Sequence, residues 1–147
     1  IPVSALKGDG IDDLLREIKS KLKQGPVFFP PGMDTDQSES FLVAEIIREK
    51  VYLHTREELP YSTAVSVDQI KEKPEKTLMS ISARIHVESD SQKAILIGRK
   101  GGMIKAIGKS ARLEIERLFG VRVFLELRVR VEKNWSRDPR ALRRLGY

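Results

Sequence analysis

The chain has 147 residues, 40% of them hydrophobic, which is enough for one well-filled core and part of a second. It contains no cysteine, so disulfides and thiolate-bound metals are excluded, and a reducing compartment such as the cytoplasm is expected. No apolar run approaches the roughly 20 residues of a membrane span, and no signal peptide opens the chain. Because the chain begins at Ile1 without an initiator methionine, we expect it to be a fragment of a longer protein.

Basic residues are concentrated in one part of the chain. The net charge is +6, from 27 Lys and Arg against 21 Asp and Glu. Residues 1–97 hold 13 basic and 16 acidic residues, a net charge of −3, whereas residues 98–147 hold 14 and 5, a net charge of +9. A basic half of this kind predicts a polyanionic partner.

Residues 1–24 predict the end of a strand followed by a helix. Small and turn-forming residues precede a stretch from Ile11 to Leu22 in which the apolar residues at 11, 14, 15, 18 and 22 share one helical face. That face needs a sheet or a helix to cover it, and too few residues precede it to supply one. We therefore predict the terminal strand–helix unit of an α/β domain rather than an independent domain.

Residues 25–37 are rich in proline and glycine and predict a linker. Pro30 and Pro31 favour a stiff, extended course. Phe28 and Phe29 are expected to pin this linker to a neighbouring surface, with base stacking as the less favoured alternative.

A second domain is predicted over residues 38–147. Its first helix spans about Ser38–Leu53, with Ser38 or Ser40 as the N-cap. The buried side of this helix is predicted to hold Leu42, Val43, Ile46, Ile47 and Val51. A charged segment then ends at Pro60, a short strand starts at Ala64–Val67, and a polar hairpin turn follows at 71–76. From Met79 to Glu88, apolar residues alternate with polar ones, which predicts a strand with one buried face.

The stretch from Ile95 to Ile104 is the most informative part of the chain. A short helix leads into a Gly-x-x-Gly turn, Gly98 to Gly101, and an amphipathic helix leaves it. Glycine at both ends permits positive φ and lets another backbone approach closely. The N–H groups and the dipole at the start of the next helix favour an anion such as a phosphate, and Arg99 and Lys100 add two positive charges at the tip.

The residues after this turn predict a helix, a strand and a last short helix. The core-facing stripe of the first helix is predicted to be Ile104, Ile107, Ala111, Ile115 and Leu118. Gly120 ends that helix, and residues 121–131 alternate as a strand. Pro139 begins the final helix, which is basic because it holds Arg140, Arg143 and Arg144.

From residue 38 the predicted order is helix, strand, strand, helix, GxxG turn, helix, strand. This order resembles a type II KH domain, an α+β fold in which three helices cover one face of a three-stranded sheet. The GxxG loop of a KH domain clamps a nucleic-acid backbone. The predicted RNA-binding residues are therefore Ile95, Ile97, Gly98, Arg99, Lys100, Gly101, Gly102, Met103, Ile104 and Lys105.

In such a domain, about four bases of a single strand lie in an apolar groove between the post-loop helix and the edge of the sheet. The predicted floor of this groove includes Ile95, Ile97, Met103 and Ile104. Further RNA contacts are predicted for Lys109, Arg128, Arg140, Arg143 and Arg144. For these basic residues a solvated surface is the alternative interpretation.

Three ordered stretches resemble the Era family of bacterial GTPases, which join a Ras-like domain to a C-terminal KH domain. They are residues 58–62 (Glu-Leu-Pro-Tyr-Ser), 95–108 and 135–147, and the resemblance covers essentially the whole chain. It implies that Ser4, Ala5 and Leu6 are the remnant of the guanine-side loop. It also implies a cytoplasmic, monomeric protein whose KH domain binds the 3′ end of small-subunit ribosomal RNA during maturation of the 30S subunit. No DNA partner is expected, and association with a membrane surface stays open.

The chain lacks the motifs that bind and hydrolyse GTP. It has neither a Gly-x-x-x-x-Gly-Lys-[Ser/Thr] loop nor an Asn-Lys-x-Asp sequence. The segment Gly102–Ser110 comes close to the first motif, but it has five intervening residues instead of four and lies within a helical stripe. GTP hydrolysis needs a phosphate cradle, a bound Mg²⁺ and a positioned water. We expect no catalysis and no cofactor in this chain, and GTP with Mg²⁺ in the full-length parent.

No metal site is predicted, and two other functions stay open. His86-Val87-Glu88 mimics the His-x-Glu of zinc deaminases, but without cysteine ligands such a site is incomplete. His54 and His86 are interpreted as a surface and a strand-face histidine. The alternatives to RNA binding are a KH-fold module that docks or tethers a protein, and the C-terminal effector half of an intact GTPase.

Overall fold

The computed structural model of the chain describes residues 1–30, 32, 35–55, 59–72 and 77–147, apart from the side chain of Pro60. The chain divides into two compact units, Ile1–Asp36 and Gln37–Tyr147. This boundary falls within one residue of the end of the predicted linker.

The first unit contains one helix, α1 (Ile11–Lys21), where the sequence predicted it. The residues before it form a turn rather than a strand, closed by a hydrogen bond from the Ser4 N–H to the Asp9 carbonyl (3.0 Å). A strand needs a partner, and among the described residues this segment has only that single bridge. No residue of α1 is buried, and Leu15 and Ile18 of its apolar face are exposed.

The second unit contains four helices and three strands in its described part. In chain order they are α2 (Glu39–His54), β1 (Ala64–Glu72), β2 (Leu78–Val87), α3 (Asp90–Ile97), α4 (Gly102–Phe119), β3 (Arg122–Val131) and α5 (Pro139–Leu145). Short 3₁₀ turns lie at Leu59–Tyr61, Arg99–Gly101 and Trp135–Arg137. The predicted order of elements is confirmed.

The three strands form one sheet in the order β1-β2-β3. The central strand β2 is antiparallel to β1 and parallel to β3. Parallel neighbours need a crossover connection, which α3 and α4 supply. The inner face of β2 is buried and holds the alternating apolar residues Met79, Ile81, Ala83, Ile85 and Val87.

Helices α2, α3 and α4 pack on this inner face. Their fully buried contributions are Val43, Ile47, Val51, Leu96, Ile107, Ala111 and Ile115. Fully burying a large aliphatic side chain stabilises a fold by roughly 1.5–3 kcal/mol, so this cluster holds the sheet and the three helices together. The predicted α+β fold, with three helices on one face of a three-stranded sheet, is confirmed.

Strand β1 is longer than the sequence predicted. Instead of ending before a turn at 71–76, it continues to Glu72. A β-bulge between Val67 and Gln69 breaks the two-residue alternation, so the next apolar residue that packs on the core is Ile70. Because of this shift, the apolar periodicity of the sequence did not predict the second half of the strand. The rest of the predicted turn, 73–76, and the charged residues 56–58 lie outside the described residues.

Helix α4 differs from the prediction in its last turn. Leu118, expected on the core-facing stripe, is 52% exposed, and Phe119 packs against the core instead. A spacing of four from Ile115 keeps a residue on the same helical face, as it does from Ala111 to Ile115. Gly120 ends the helix as predicted, with φ of 68°.

The residues after β3 fold back onto the start of β1. Their small apolar cluster consists of Ala64, Trp135, Ala141 and Leu145. The indole N–H of Trp135 donates to the carbonyl oxygen of Ser62 (3.3 Å). Asp138 caps α5 by accepting a hydrogen bond from the Arg140 N–H (2.9 Å), and Pro139 occupies the first helical position as predicted. Among the described residues, no helix has the length and apolar character that a bilayer crossing requires.

Candidate nucleic-acid interface

The GxxG turn adopts the backbone conformation that its glycines were predicted to allow. Gly98 has φ 69° and ψ 176°, and Gly101 has φ 75°. Lys100 also lies at φ 50°, a conformation that non-glycine residues seldom adopt. A Cβ on Gly98 would lie 2.7 Å from the Cβ of Met103, so a larger residue does not fit. The turn therefore brings the end of α3 tightly against the start of α4.

Helix α4 begins without a side-chain cap. The N-caps of α2, α3 and α5 are Ser38, Ser89 and Asp138, and each accepts a hydrogen bond from its helix backbone. Gly101, the N-cap of α4, has no side chain to do this. The positive end of the helix dipole lies at the same place, so an anionic oxygen is well suited to this helix start.

Four cations lie on the turn and the first two turns of α4. Arg99, Lys100, Lys105 and Lys109 are all exposed. Within the described part of the chain, none of the four forms an ion pair. Their charges are therefore not neutralised by any carboxylate in the described part of the chain.

An open groove of about 390 Å³ runs between α4 and β3. Its lining residues are Ile104, Lys105, Gly108, Lys109, Arg112, Leu125 and Leu127. Aliphatic side chains supply the apolar part of this lining, and α4 supplies all of the cations. Because β3 is an edge strand, the groove lies between the post-loop helix and the edge of the sheet, as the sequence predicted.

Gly108 keeps the middle of this groove open. A glycine inside a helix costs roughly 0.5–1 kcal/mol relative to alanine. A Cβ on Gly108 would lie 3.5 Å from Cδ1 of Leu127, which is an ordinary van der Waals distance. Alanine would therefore fit, but its methyl group would occupy the space between α4 and β3. We interpret the missing side chain as serving the groove rather than the packing.

The GxxG turn lies at one end of the groove, and Arg112 is held at the other end. Its Nη1 donates to Oε1 of Glu116 (2.9 Å), and the same oxygen accepts from the Val123 N–H (2.9 Å). The backbone hydrogen bond, followed by the nearby Arg112 charge, lowers the pKa of the Glu116 carboxyl. Glu116 therefore stays ionised and fixes the guanidinium beside the groove.

The predicted binding residues are only partly brought together. Ile104, Lys105 and Lys109 line the groove, and the GxxG turn leads directly into it. Ile97 and Met103 are half-buried beside the turn, and Ile95 is exposed on α3. Of the four residues predicted for the floor of the groove, Ile104 is the one that lines it.

The other predicted contacts lie away from the groove lining. Arg128 pairs with Glu126 (2.8 Å) on the exposed side of β3. Arg144 pairs with Glu132, whereas Arg140 and Arg143 are exposed on α5. The proposed guanine-loop remnant, Ser4, Ala5 and Leu6, lies in the turn before α1.

Four groove residues were missed by the sequence analysis: Gly108, Arg112, Leu125 and Leu127. Gly108 gave a usable signal, because it lies four residues after Ile104 in an otherwise regular helical pattern. Leu125 and Leu127 belong to the alternating apolar residues of 121–131, and nothing in that spacing separates a groove floor from a core.

His86 lies on the other face of β2 and is buried there. Its Nδ1 is 3.0 Å from Oε2 of Glu132, and its Nε2 is 2.7 Å from the hydroxyl of Ser66. Burial lowers the pKa of His86, although the hydrogen bond to Glu132 opposes this effect. A neutral ring that donates to Glu132 and accepts from Ser66 satisfies both contacts. The strand-face interpretation of His86 is correct, but the C-terminal segment that covers it was not foreseen.

His54 is also tied into the fold, through a contact of 3.0 Å between its Nε2 and the hydroxyl of Ser110 on α4. In the described ranges, no group of three or more His, Cys, Asp or Glu side chains is arranged to hold a metal ion.

Comparison with known proteins agrees with this geometry. A family model described as "KH domain" matches residues 58–136, which is more than half of the chain. GTPase Era of Geobacter metallireducens is 56% identical over 147 residues, covering 100% of this chain and 49% of the relative. GTPase Era of Syntrophus aciditrophicus is also 56% identical, with 100% and 48% covered. The chain thus spans about half the length of the curated relatives it matches.

Two solved structures are similar over the whole chain. One is Aquifex aeolicus Era bound to GDP and AlF4⁻, at 42% identity and a TM-score of 0.94. The other is Era in complex with MgGDPNP and nucleotides 1506–1542 of 16S ribosomal RNA, at 42% identity and a TM-score of 0.95. Each match covers 100% of this chain and 49% of the solved one. The chain belongs to the KH-domain family and corresponds over its full length to the C-terminal, KH-containing part of the GTPase Era.

Proposed function

We propose that this chain binds single-stranded RNA through the GxxG turn and the α4–β3 groove. The observation that carries this proposal is the continuity of three features. Cations that form no ion pair with the described residues surround an uncapped helix start, and that helix start opens directly into a groove with an apolar floor. Phosphates suit the cations and the helix start, and bases suit the groove, so one RNA strand can use all three.

In this mechanism the turn holds the RNA backbone. Gly98 and Gly101 allow the close approach, while Arg99 and Lys100 neutralise phosphates. The bases then lie along α4, where Ile104, Leu125 and Leu127 provide apolar contact. Lys105 and Lys109 follow the backbone along the rim. Backbone contacts of this kind position the strand, and contacts to base edges in the groove supply sequence preference.

The RNA is proposed to be the 3′ region of small-subunit ribosomal RNA, bound during 30S maturation by a cytoplasmic, monomeric parent protein. Support comes from the Era structure that contains nucleotides 1506–1542 of 16S ribosomal RNA. At a TM-score of 0.95, the backbone of this chain follows that of the RNA-bound protein closely.

The parent is proposed to bind GTP with Mg²⁺ and to hydrolyse it with residues that this chain does not contain. Residues 1–24 are proposed as the end of the GTPase domain, 25–37 as the linker and 38–147 as the KH domain. The near-motif Gly102–Ser110 lies inside α4 and cannot wrap a phosphate. Calorimetric titration of the chain with GTP should therefore give no heat of binding, and micromolar affinity would contradict this assignment.

The RNA proposal is tested by fluorescence anisotropy with labelled nucleotides 1506–1542 of 16S ribosomal RNA. The matched control is the same RNA annealed to its complement. We expect the single strand to bind more tightly, with an affinity that falls steeply as salt increases. A chain that binds neither RNA at low salt would instead favour the protein-docking alternative.

A further inference from the structure

We propose that the RNA site extends beyond the groove to a subsite that stacks one additional base on Phe124. This inference rests on the proposed function and extends it to a residue that neither the GxxG turn nor the groove includes. The subsite takes a nucleobase of the same strand, without regard to its identity, because every base has a flat π face.

A second cleft, of about 580 Å³, adjoins the far end of the groove. Its lining residues are Leu78, Arg112, Glu116, Arg122, Val123 and Phe124. Arg112 lines both the groove and this cleft, so the two are continuous along α4. An RNA strand that leaves the groove past Arg112 therefore enters the cleft at the start of β3.

Phe124 is placed to receive a base there. Its side chain is 60% exposed, although it belongs to a strand with buried neighbours. Its register partner on β2 is Ser80, whose small side chain cannot cover an aromatic ring. Isolated exposed apolar residues are common on protein surfaces. Phe124 lies on the opposite face of β3 from Leu125 and Leu127 of the groove floor, but it differs from isolated surface residues because it lines a cleft together with Arg112 of the groove.

The charges of the cleft suit a nucleic acid. Arg122 is exposed, and no ion pair is formed by it among the described residues. Glu116 is the one acidic residue in the cleft lining, and it is neutralised by Arg112 and by the Val123 N–H. A phosphate beside Arg122 with its base on Phe124 satisfies both residues.

The test compares short and long RNAs. Four-nucleotide RNAs that tile nucleotides 1506–1542 identify the tightest tetramer, which is then extended by about four nucleotides at either end. Phe124→Ala should weaken binding of the extended RNA by about 5- to 150-fold, the range of base–aromatic stacking. Its affinity for the tetramer should stay within about twofold of the unchanged protein. Phe124→Tyr should retain the affinity for the extended RNA.

Phe28→Ala is the matched control, because it removes the same ring from a site that is 84% exposed. It should leave both affinities unchanged. Equal loss for the tetramer and the extended RNA, an equal effect of Phe28→Ala, or no effect of Phe124→Ala would overturn the subsite. If the unchanged protein bound no RNA of either length, the proposed function would fail as well. If the tetramer bound normally and Phe124→Ala had no effect on the extended RNA, only the proposed subsite would be wrong.

Discussion

Two basic regions of this chain look alike in sequence and differ in structure. The GxxG turn with the start of α4 holds Arg99, Lys100, Lys105 and Lys109, and α5 holds Arg140, Arg143 and Arg144. The first set surrounds an uncapped helix start that leads into a groove. In the second set, Arg144 is paired with Glu132, and Asp138 caps the helix.

The difference shows that the number of basic residues does not locate a binding surface. A cation that already pairs with a carboxylate carries little net charge toward a ligand. The useful signal is a cation without a partner, next to backbone donors without a side-chain acceptor. The turn meets both conditions. In α5, Arg144 pairs with Glu132, and the side chain of Asp138 already caps the helix start beside Arg140. We therefore expect changes in the turn to alter binding, and changes in the C-terminal segment to alter stability.

Trp135→Ala should produce the largest loss of stability. Trp135 is buried against Ala64 and Leu145, and truncating a buried tryptophan costs about 3–5 kcal/mol. RNA affinity, measured at a temperature where the variant is still folded, should stay nearly unchanged. Denaturant unfolding and anisotropy measure the two effects separately.

Trp135→Phe is the matched control for that experiment. It keeps an aromatic ring and removes the hydrogen bond to the Ser62 carbonyl, which contributes about 1 kcal/mol. If either variant lost RNA affinity while fully folded, the C-terminal segment would be part of the binding surface and the comparison would fail.

Gly98→Ala should damage the turn more than Gly101→Ala. Gly98 lies in a φ/ψ region that is essentially restricted to glycine, and its added Cβ would clash with Met103. Gly101 is also at positive φ, but no atom of the described residues lies within 4 Å of its Cβ position. We expect destabilisation of about 2–3 kcal/mol for Gly98→Ala and about 1 kcal/mol for Gly101→Ala.

RNA affinity should follow the same order, because only Gly98→Ala forces α3 and α4 apart. Thermal melting and anisotropy on both variants give the ranking. Equal effects of the two substitutions would show that the close approach at Gly98 is unimportant for the loop.

Mild acid should weaken the attachment of the C-terminal segment. Burial lowers the pKa of His86 in the folded state, so the folded protein favours the neutral ring. Stability is then complete above about pH 6.5, the ordinary histidine pKa, and decreases as the pH falls below it. The slope cannot exceed about 1.4 kcal/mol per pH unit for one proton.

The charged neighbours of His86 determine the size of this effect: Glu132 opposes it, and Arg144 and Arg84 add to it. Chemical denaturation between about pH 7 and 5.5 measures the slope. His86→Gln should flatten it. A slope that persists unchanged in His86→Gln would assign the acid sensitivity to another group.

The sequence predicted those parts of the fold that depend on short-range patterns. Ser38, Gly120 and Pro139 mark helix ends because their effects are local, and the GxxG turn needs only its two glycines. The order of elements followed from these markers together with the apolar periodicity. For the same reason, the sequence predicted the backbone of the GxxG turn but missed most of the side chains that line the groove.

Features that depend on residues distant in sequence were not predictable in the same way. The bulge after Val67 is defined by pairing with β2, and Leu125 becomes a groove residue only because α4 leaves it partly uncovered. His86 is buried by Glu132, which lies 46 residues away in the sequence, and by the segment that follows Glu132. No local pattern contains that information.

The most direct test of the central claim compares two double variants of equal charge change. Arg99→Asp with Lys100→Asp alters the turn, and Arg140→Asp with Arg143→Asp alters α5. All four residues are exposed, and surface changes usually stay within about 0.5 kcal/mol, so both variants should melt normally. The measurement is the slope of log K against log salt for single-stranded RNA. The turn variant should lose most of its affinity and flatten the slope by about 1.4, or about 0.7 for each lost phosphate contact, while the α5 variant keeps its slope. A folded turn variant with unchanged affinity and salt slope would contradict the assignment of this loop to the RNA backbone.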